Sequence, residues 1–285
     1  MISVSDLIHS IKLAQISHKE FKTKSIAETQ KRVFGGLLVA QATYAIGKIC
    51  LDKFIHSLHV SFLNPANPFY EITYSVETLK KGQHFDSYQC KAYQNEKIIL
   101  SLTASFHNNE HGFEHSHVMP KISFNDTCND SINPNIPTEI QSDVLYYLKN
   151  QRPFIICPSD PNLFSHQSNL LNKDQPIAIW FKAKDIIPDD QLLQTSILAY
   201  LSDMSLLNAA LPQHNSSIFD KGLQIASIDH SIWFHETPNM NNWILYVQNS
   251  PWAGQGRALC HGSIYSQSGA LLATTAQEGL IRFKI

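Results

Sequence analysis

The chain has 285 residues, of which 43% are hydrophobic and 16% are charged, and its formal net charge is −2. This composition is typical of a globular protein with enough chain for one large domain or two ordinary ones. The low net charge excludes the basic surface of a nucleic-acid binder or of a protein held on an anionic membrane. No segment approaches 18 uninterrupted apolar residues, so we expect no stable membrane insertion.

The N-terminal sequence and the cysteine pattern indicate the cellular compartment of the protein. The first residues lack the basic region of a signal peptide. They have helical spacing instead, and Ser3 or Ser5 would cap a short amphipathic helix whose apolar positions are Val4, Leu7, Ile8 and Ile11. The five cysteines are scattered and odd in number, without a C-x-x-C pair, which favours a reducing compartment. We therefore expect a cytoplasmic protein with five free thiols.

Helical and strand-like segments then follow in an order that occurs twice. A helix-like segment at 34–50 precedes a run of strands from LHVSFLNP to IILSLTASFH. Residues 116–175 are rich in Asn, Ser, Asp and Pro and indicate a long connection, with one helix near SDVLYYLKN. A second helix-like segment at 192–211 precedes a second meander, which begins with one long strand at 222–236.

An internal repeat supports this order. When the sequence is compared with itself at an offset of 172, eight of the 33 positions from 72 to 104 are identical, where composition alone gives about two. This repeat predicts an α+β protein with two tandem copies of a long helix wrapped by an antiparallel sheet, in which the two sheets continue into each other. We place the first copy at 1–115, the connection at 116–175 and the second copy at 176–285.

Common enzyme motifs are absent from the sequence, with one exception. There is no G-x-S-x-G and no glycine-rich nucleotide-binding motif. His111, Glu114 and His115 match H-x-x-E-H, a zinc motif that works only on a helix. Here it follows a strand-like run and contains Gly112, so we predict a surface loop and no metal site.

Three polar residues interrupt apolar segments of the second copy. Asp203 lies within ILAYLSDMSLLNAAL, Ser227 lies within the long strand, and Gln277 ends the strand LLATTAQEGL. A buried polar side chain needs a partner or a task. A single buried pocket would satisfy all three residues.

Seven motifs, in this order and over nearly the whole chain, resemble the acyl-CoA thioesterase II family. They are KRVFGGLLVAQATYA (31–45), HSLHVSFLNP (56–65), TASFH (103–107), FEHSHVMP (113–120), LAYLSDMSLL (198–207), LQIASIDHSIWFH (223–235) and TTAQEGLIR (274–282). The resemblance implies a double hotdog fold, in which each half is a long helix wrapped by an antiparallel sheet. It also implies hydrolysis of acyl-CoA thioesters to free fatty acid and CoA, without metal, cofactor or covalent intermediate.

The resemblance further implies which residues carry the reaction. In that family an Asp on the second hotdog helix, a Thr or Ser on the following strand and a Gln near the C-terminus hold the attacking water. These positions correspond to Asp203, Ser227 and Gln277. Serine at 227 keeps the hydroxyl of the more usual threonine. At the repeat position of Gln277 the first copy has Ser105, so we expect that copy to shape the pocket without reacting.

Four more residues are candidates for substrate contact. Gly35 and Gly36, ahead of the first long helix, would let a thioester approach closely, although the chemistry of a helix start also explains them. His59 is a candidate base or a structural histidine. Arg257, in the turn GQGR, would meet CoA phosphates or remain a solvated turn charge.

Two other functions stay open at this point. One is a non-catalytic acyl-CoA sensor with the same fold. The other is a hotdog hydratase or dehydratase, for which His59 is the natural proton donor and acceptor. Exposed strand edges favour a homodimer or a homotetramer, and we expect no nucleic-acid partner.

Overall fold

The computed structural model describes residues 3–23, 32–124, 136–150, 152–160, 163–164 and 176–284. Its α-helices are α1 Val4–Ile11, α2 Gly35–Gly47, α3 Thr138–Asn150 and α4 Gln191–Ser202, with short 3₁₀ helices at Leu206–Ala210 and Pro212–His214. Its strands are β1 Ala14–Gln15, β2 Glu20–Lys22, β3 Phe54–Phe62, β4 Thr73–Lys80, β5 Phe85–Gln94, β6 Lys97–His107, β7 Phe154–Pro158, β8 Ile177–Ala183, β9 Leu223–Ser227, β10 Asp229–Phe234, β11 Ile244–Gly254, β12 Arg257–Ser266 and β13 Leu271–Phe283.

The strands form one antiparallel sheet that runs through both copies. Its order is β1-β2-β4-β5-β6-β3-β10-β13-β12-β11-β8-β7, and β9 pairs with β13 beside this path. The pairing of β3 with β10 joins the two copies. The predicted double hotdog, with a continuous sheet around long helices, is therefore confirmed.

Helices α2 and α4 form the centre of the core because nearly every residue of both is buried. They run antiparallel: Gly36 at the start of α2 lies against Tyr200 near the end of α4, and Gly47 at the end of α2 lies against Leu192. A side chain at Gly36 would place its Cβ 2.5 Å from the Tyr200 carbonyl oxygen. Glycine therefore allows the two helix backbones to come close.

The register between β3 and β10 explains the offset of the repeat. His59 lies opposite Ser231, and these two positions differ by 172. Because antiparallel partners change in opposite directions along the chain, this is the pair where a residue faces its own repeat equivalent. The two copies are thus related by an approximate two-fold axis through the His59–Ser231 pair.

Several local predictions are confirmed. Helix α1 begins after Ser3, whose side chain accepts a hydrogen bond from the Asp6 amide in a capping box. The H-x-x-E-H segment at 111–115 contains no helix. As a separate finding, none of the helices that the structure describes has the length and apolar character of a membrane span.

Other local predictions are wrong. The helix predicted at 192–211 ends at Ser202, and Asp203 is its C-cap. The predicted helix cannot continue to 211, because the backbone angles of Ser205, φ −147° and ψ 0°, lie outside the α-helical range. The segment 116–175 holds the expected helix α3, but it also supplies β7, which pairs with β8. The predicted limits of the connection between the two copies, at 115 and 175, remain a prediction.

The cysteines only partly follow the prediction of five free thiols. Cys50, Cys90 and Cys260 are free and buried. Cys157 is disulfide-bonded, so the prediction is wrong at this position. Cys128 lies outside the described residues.

Candidate active site

Asp203 occupies the C-cap of α4, at the point where the chain leaves the helix. Helix α4 is anchored at its other end by Asp190, whose carboxylate accepts a hydrogen bond from the Leu193 amide at 3.1 Å. The intervening residues from Leu193 to Ser202 are all buried. Asp203 is itself only 8% exposed, so a fixed, buried helix positions its carboxylate.

Ser227 is positioned by an irregularity in the sheet. The strand predicted at 222–236 is in fact two strands, β9 and β10, with a break at Ile228. Both strands pair with β13, and residues 228–230 on one side face only 277 and 278 on the other. This extra residue is a β-bulge, which changes the direction of the side chains next to it. Ser227 is the last residue before the bulge.

The bulge also explains Asp229, the second polar residue of this apolar segment. The Glu278 amide would lose its ladder partner at the bulge, but it donates to the Asp229 carboxylate at 2.9 Å. The Ile228 amide donates to the Glu278 carbonyl at 3.0 Å. Asp229 thus has a structural task and is not a member of the site.

Asp203, Ser227 and Gln277 meet in one hydrogen-bonded cluster. The Ser227 hydroxyl donates to Asp203 Oδ1 at 3.0 Å, and it accepts from Gln277 Nε2 at 2.9 Å. Gln277 Nε2 also donates to Asp203 Oδ1. The Gln277 side chain is fully buried, and within the described residues its Oε1 has no partner. Each of the three side chains therefore fixes the other two.

The start of α2 closes over the same carboxylate. The Gly36 amide acts on the Asp203 carboxylate and lowers its pKa. A Cβ on Gly35 would lie 2.8 Å from Asp203 Oδ2, closer than a side chain can approach without displacing it. Helix α2 has no side-chain cap at Phe34, and the backbone hydrogen bonds to the Phe34 carbonyl come from Leu37 and Leu38, so the Gly35 and Gly36 amides lie outside this bonding and can serve a negative charge.

Burial dominates the electrostatics of the site. It raises the pKa of Asp203 from 3.8 to about 6, although the hydrogen bonds from Gln277, Ser227 and Gly36 and the positive charge of Arg152 oppose it. Such a carboxyl group is ionised at neutral pH and is still basic enough to accept a proton.

A second layer of buried polar groups holds the end of α4. The Tyr246 hydroxyl donates to the Ser202 carbonyl at 2.7 Å and lies 2.9 Å from the Thr275 hydroxyl. The Ser202 hydroxyl lies 2.9 Å from His230 Nε2. Since Ser202 directly precedes Asp203, this network limits the movement of the carboxylate.

The cluster forms part of the wall of a cavity of about 440 Å³. Asp203, Ser227 and Gly35 line the cavity, and Arg32 adds a positive charge to the lining. Its apolar walls come from both copies and include Leu38, Phe62, Leu207 and Ile225. The cavity thus combines apolar walls with a few polar groups, which include the Asp203–Ser227 pair, as ligand sites commonly do.

His59 and Arg257 lie apart from this cavity. His59 is exposed, and its Nδ1 lies 2.9 Å from the Ser231 hydroxyl at the junction of the copies. Arg257 forms an ion pair with Glu278 at 3.0 Å. Neither residue lines the cavity, so their proposed contacts with substrate stay predictions that no geometry here supports.

A second cavity, of about 960 Å³, lies at the position related by the approximate two-fold axis. It is lined by the end of α2 and the start of α4. Lys48 is the C-cap of α2 there, as Asp203 is the C-cap of α4, and Ile55 occupies the repeat position of Ser227. The carboxylate and the hydroxyl of the first cavity therefore have no counterpart at these positions.

One group in the described residues has the spacing of a metal site: Cys50, Asp52 and Asp86. Two ammonium groups already bind the Asp86 carboxylate, Lys81 at 2.9 Å and Lys53 at 3.1 Å. Burial alone would raise the pKa of Asp86, but the bonds from Lys81, the Gly82 amide and Lys53 lower it to about 2. The site thus holds fixed cations of its own.

Comparison with known proteins decides the family. The family model described as acyl-CoA thioesterase matches residues 165–280, and the one for the acyl-CoA thioesterase N-terminal domain matches residues 24–107. Acyl-CoA thioesterase 2 of Haemophilus influenzae is 37% identical over 98% of both chains. The chain belongs to the acyl-CoA thioesterase family. Membership of this family confirms the prediction that the protein is a thioester hydrolase.

Further relatives of this thioesterase agree. Human acyl-coenzyme A thioesterase 8 is 33% identical over 89% of this chain and 82% of its own length. The crystal structure of an acyl-CoA thioesterase II from Mycobacterium marinum has a TM-score of 0.78 at 29% identity and covers 98% of each chain. A tesB protein of Mycobacterium avium subsp. paratuberculosis has a TM-score of 0.80 at 22% identity, which supports the fold.

Two arginines near the site, Arg152 and Arg32, are not marked as functional by any sequence pattern. Arg32 precedes α2, in the motif that carries the family resemblance, and its place in the cavity lining was not anticipated. Arg152 lies in the segment predicted to be a connection, and its positive charge acts on Asp203. The sequence shows only that Arg152 directly precedes the apolar strand PFIIC.

Proposed function

We propose that the protein hydrolyses acyl-CoA thioesters to a free acid and CoA by direct attack of a water molecule held by Asp203, Ser227 and Gln277. One observation carries the proposal: these three side chains form a closed hydrogen-bonded cluster, and Asp203 and Ser227 line an apolar cavity. An apolar cavity suits an acyl chain, and the cluster places a carboxylate at the wall.

The carboxylate is the base in this mechanism. With a pKa of about 6, Asp203 is ionised at pH 7 and can take a proton from water. Ser227 and Gln277 occupy its Oδ1, while its Oδ2 faces Gly35 at the start of α2. Water bound at this carboxylate would lie beside the first turn of α2, where a thioester carbonyl can approach because Gly35 has no side chain.

The reaction balances without a metal or a cofactor. The water oxygen bonds to the thioester carbon as Asp203 accepts one water proton, and the carbonyl oxygen becomes an oxyanion. The amides at the start of α2 are candidate donors to that oxyanion. The carbon–sulfur bond then breaks, the acid is released, and the proton on Asp203 passes to the CoA thiolate.

The geometry disfavours a hydratase. Among the described residues that line the cavity there is no histidine, and His59 lies on the exposed sheet at the junction of the copies. A sensor would gain nothing from a buried carboxylate whose burial raises its pKa to about 6. Localisation in the cytoplasm and assembly as a homodimer or homotetramer remain predictions.

Release of CoA thiol from a panel of saturated acyl-CoAs tests the proposal. We expect turnover by the wild type and a loss of at least about 100-fold in Asp203→Asn. Asp189→Asn removes an exposed carboxylate outside the cavity and should leave the rate unchanged. Binding without thiol release would favour the sensor, and hydration of an enoyl-CoA would favour the hydratase.

A further inference from the structure

Arg152 presents an unusual arrangement for a partly buried cation. It lies between α3 and β7, and its guanidinium carbon is 4.2 Å from the centre of the Phe34 ring. Its Nη1 donates to the Tyr200 hydroxyl at 3.3 Å, and its buried Nε has no partner within the described residues. None of the ion pairs in the described chain involves Arg152. Partial withdrawal of such a charge from water, with no carboxylate partner among the residues that the structure describes, is costly and indicates a task.

The two aromatic residues that Arg152 contacts, Phe34 and Tyr200, lie next to the residues of the proposed site. Phe34 caps α2, immediately before the two glycines that face Asp203. Tyr200 lies on α4, three residues before Asp203. The rings of Phe34 and Tyr200 are in edge contact, with their centres 5.1 Å apart. The guanidinium thus spans the start of one central helix and the end of the other.

We propose that Arg152 is a positioning residue for hydrolysis, which holds Phe34 against Tyr200 and so keeps the start of α2, at Gly35, against the Asp203 carboxylate. This inference rests on the proposed function. The positioning role requires the planar guanidinium of Arg152. A guanidinium stacks on an aromatic ring and donates hydrogen bonds from its edge, whereas an ammonium group offers only a point charge.

The charge of Arg152 has a separate effect on Asp203. The groups that face Asp203 are Gln277 from β13, Ser227 from β9, the Gly36 amide from α2 and Arg152. The Tyr246 phenol from β11 is also close enough to respond to this carboxylate, and it is neutral because its pKa is raised by burial. Among these groups only Arg152 is charged, and Arg32 adds a second positive charge to the lining of the same cavity. The charge of Arg152 lowers the pKa of Asp203, against the larger effect of burial.

Two substitutions separate the two effects. Arg152→Met removes the charge and the stacking, so the maximal rate should fall about tenfold and the acid limb of the kcat/KM profile should move up by roughly half a pH unit. Arg152→Lys keeps the charge and loses the planar contacts, so kcat should fall while the acid limb stays in place. Arg282→Met removes an exposed arginine and should change neither quantity.

The outcomes distinguish this inference from the proposed function. If the wild type releases no CoA, the proposed function fails. If the wild type is active and Arg152→Met keeps both its kcat and its acid limb, Arg152 is not a positioning residue. Should Arg152→Met not fold, as judged by circular dichroism, Arg152→Lys decides alone: a wild-type kcat in this variant contradicts the inference, and a lowered kcat with an unmoved acid limb supports it.

Discussion

Replacement of the Asp203 carboxylate by an amide should abolish activity and, at the same time, increase the stability of the folded protein. In Asp203→Asn the side chain keeps its shape but can no longer ionise. The wild-type carboxyl has an ordinary pKa of 3.8 when unfolded and about 6 when folded, because burial outweighs its hydrogen bonds. At 1.36 kcal/mol per pH unit, this difference destabilises the folded wild type by about 3 kcal/mol when the group is ionised in both states.

The sign and the pH window follow from these two values. Since the folded pKa is the higher one, the group's contribution to stability is fully present below about pH 3.8 and is lost as the pH rises to about 6. Asparagine does not titrate. The difference in free energy of unfolding between Asp203→Asn and wild type should therefore grow in favour of the variant by about 2 kcal/mol from pH 4 to pH 8.

Urea unfolding of both proteins, followed by tryptophan fluorescence at pH 4, 5, 6 and 8, measures this difference. Other titrating groups are common to the two proteins and cancel in the comparison. An advantage of the variant that is the same at every pH, or that shrinks as the pH rises, would refute the claim that burial has raised the pKa of this carboxyl.

Further predictions concern activity. The kcat/KM of the wild type should fall about tenfold per pH unit below about pH 6, since Asp203 must be ionised to act as a base; a profile that stays flat to pH 4.5 would exclude it. Ser227→Ala should lose about 100-fold in kcat, while Ser227→Thr should stay within about tenfold of wild type because it keeps the hydroxyl; equal losses would mean that packing matters and the hydrogen bond does not. Gly35→Ala should displace Asp203 Oδ2 and lower kcat by about 100-fold, whereas Gly112→Ala, whose Cβ would meet nothing within 4 Å, should have no effect; equal activities would show that the close approach is unimportant.

Much of this architecture could be predicted from the sequence because it depends on patterns that the sequence contains directly. The offset of 172 between the copies reappears as the pairing of His59 with Ser231. Asp203, Ser227 and Gln277 were recognisable because each is polar within an apolar segment, and burial forces such groups to find one another.

What the sequence could not reveal depends on contacts between distant segments. The break at Ile228 exists because β13 pairs with two strands in different registers, and no local pattern marks it. Helix α4 ends at Ser202 although the apolar spacing continues beyond Asp203, since tertiary contacts override that spacing. Arg152 and β7 lie in a segment rich in turn residues, and only the fold brings them beside the site and the sheet.

A single-turnover reaction in ¹⁸O-labelled water, with enzyme in excess over acyl-CoA, tests the mechanism most directly. If Asp203 activates a water molecule, the acid released in the first turnover carries one ¹⁸O, and the peptide that contains Asp203 carries none. If Asp203 attacks the thioester itself, a mixed anhydride forms, and water that opens it at the aspartyl carbonyl leaves the label in that peptide. Label in the Asp203 peptide would contradict direct attack by water.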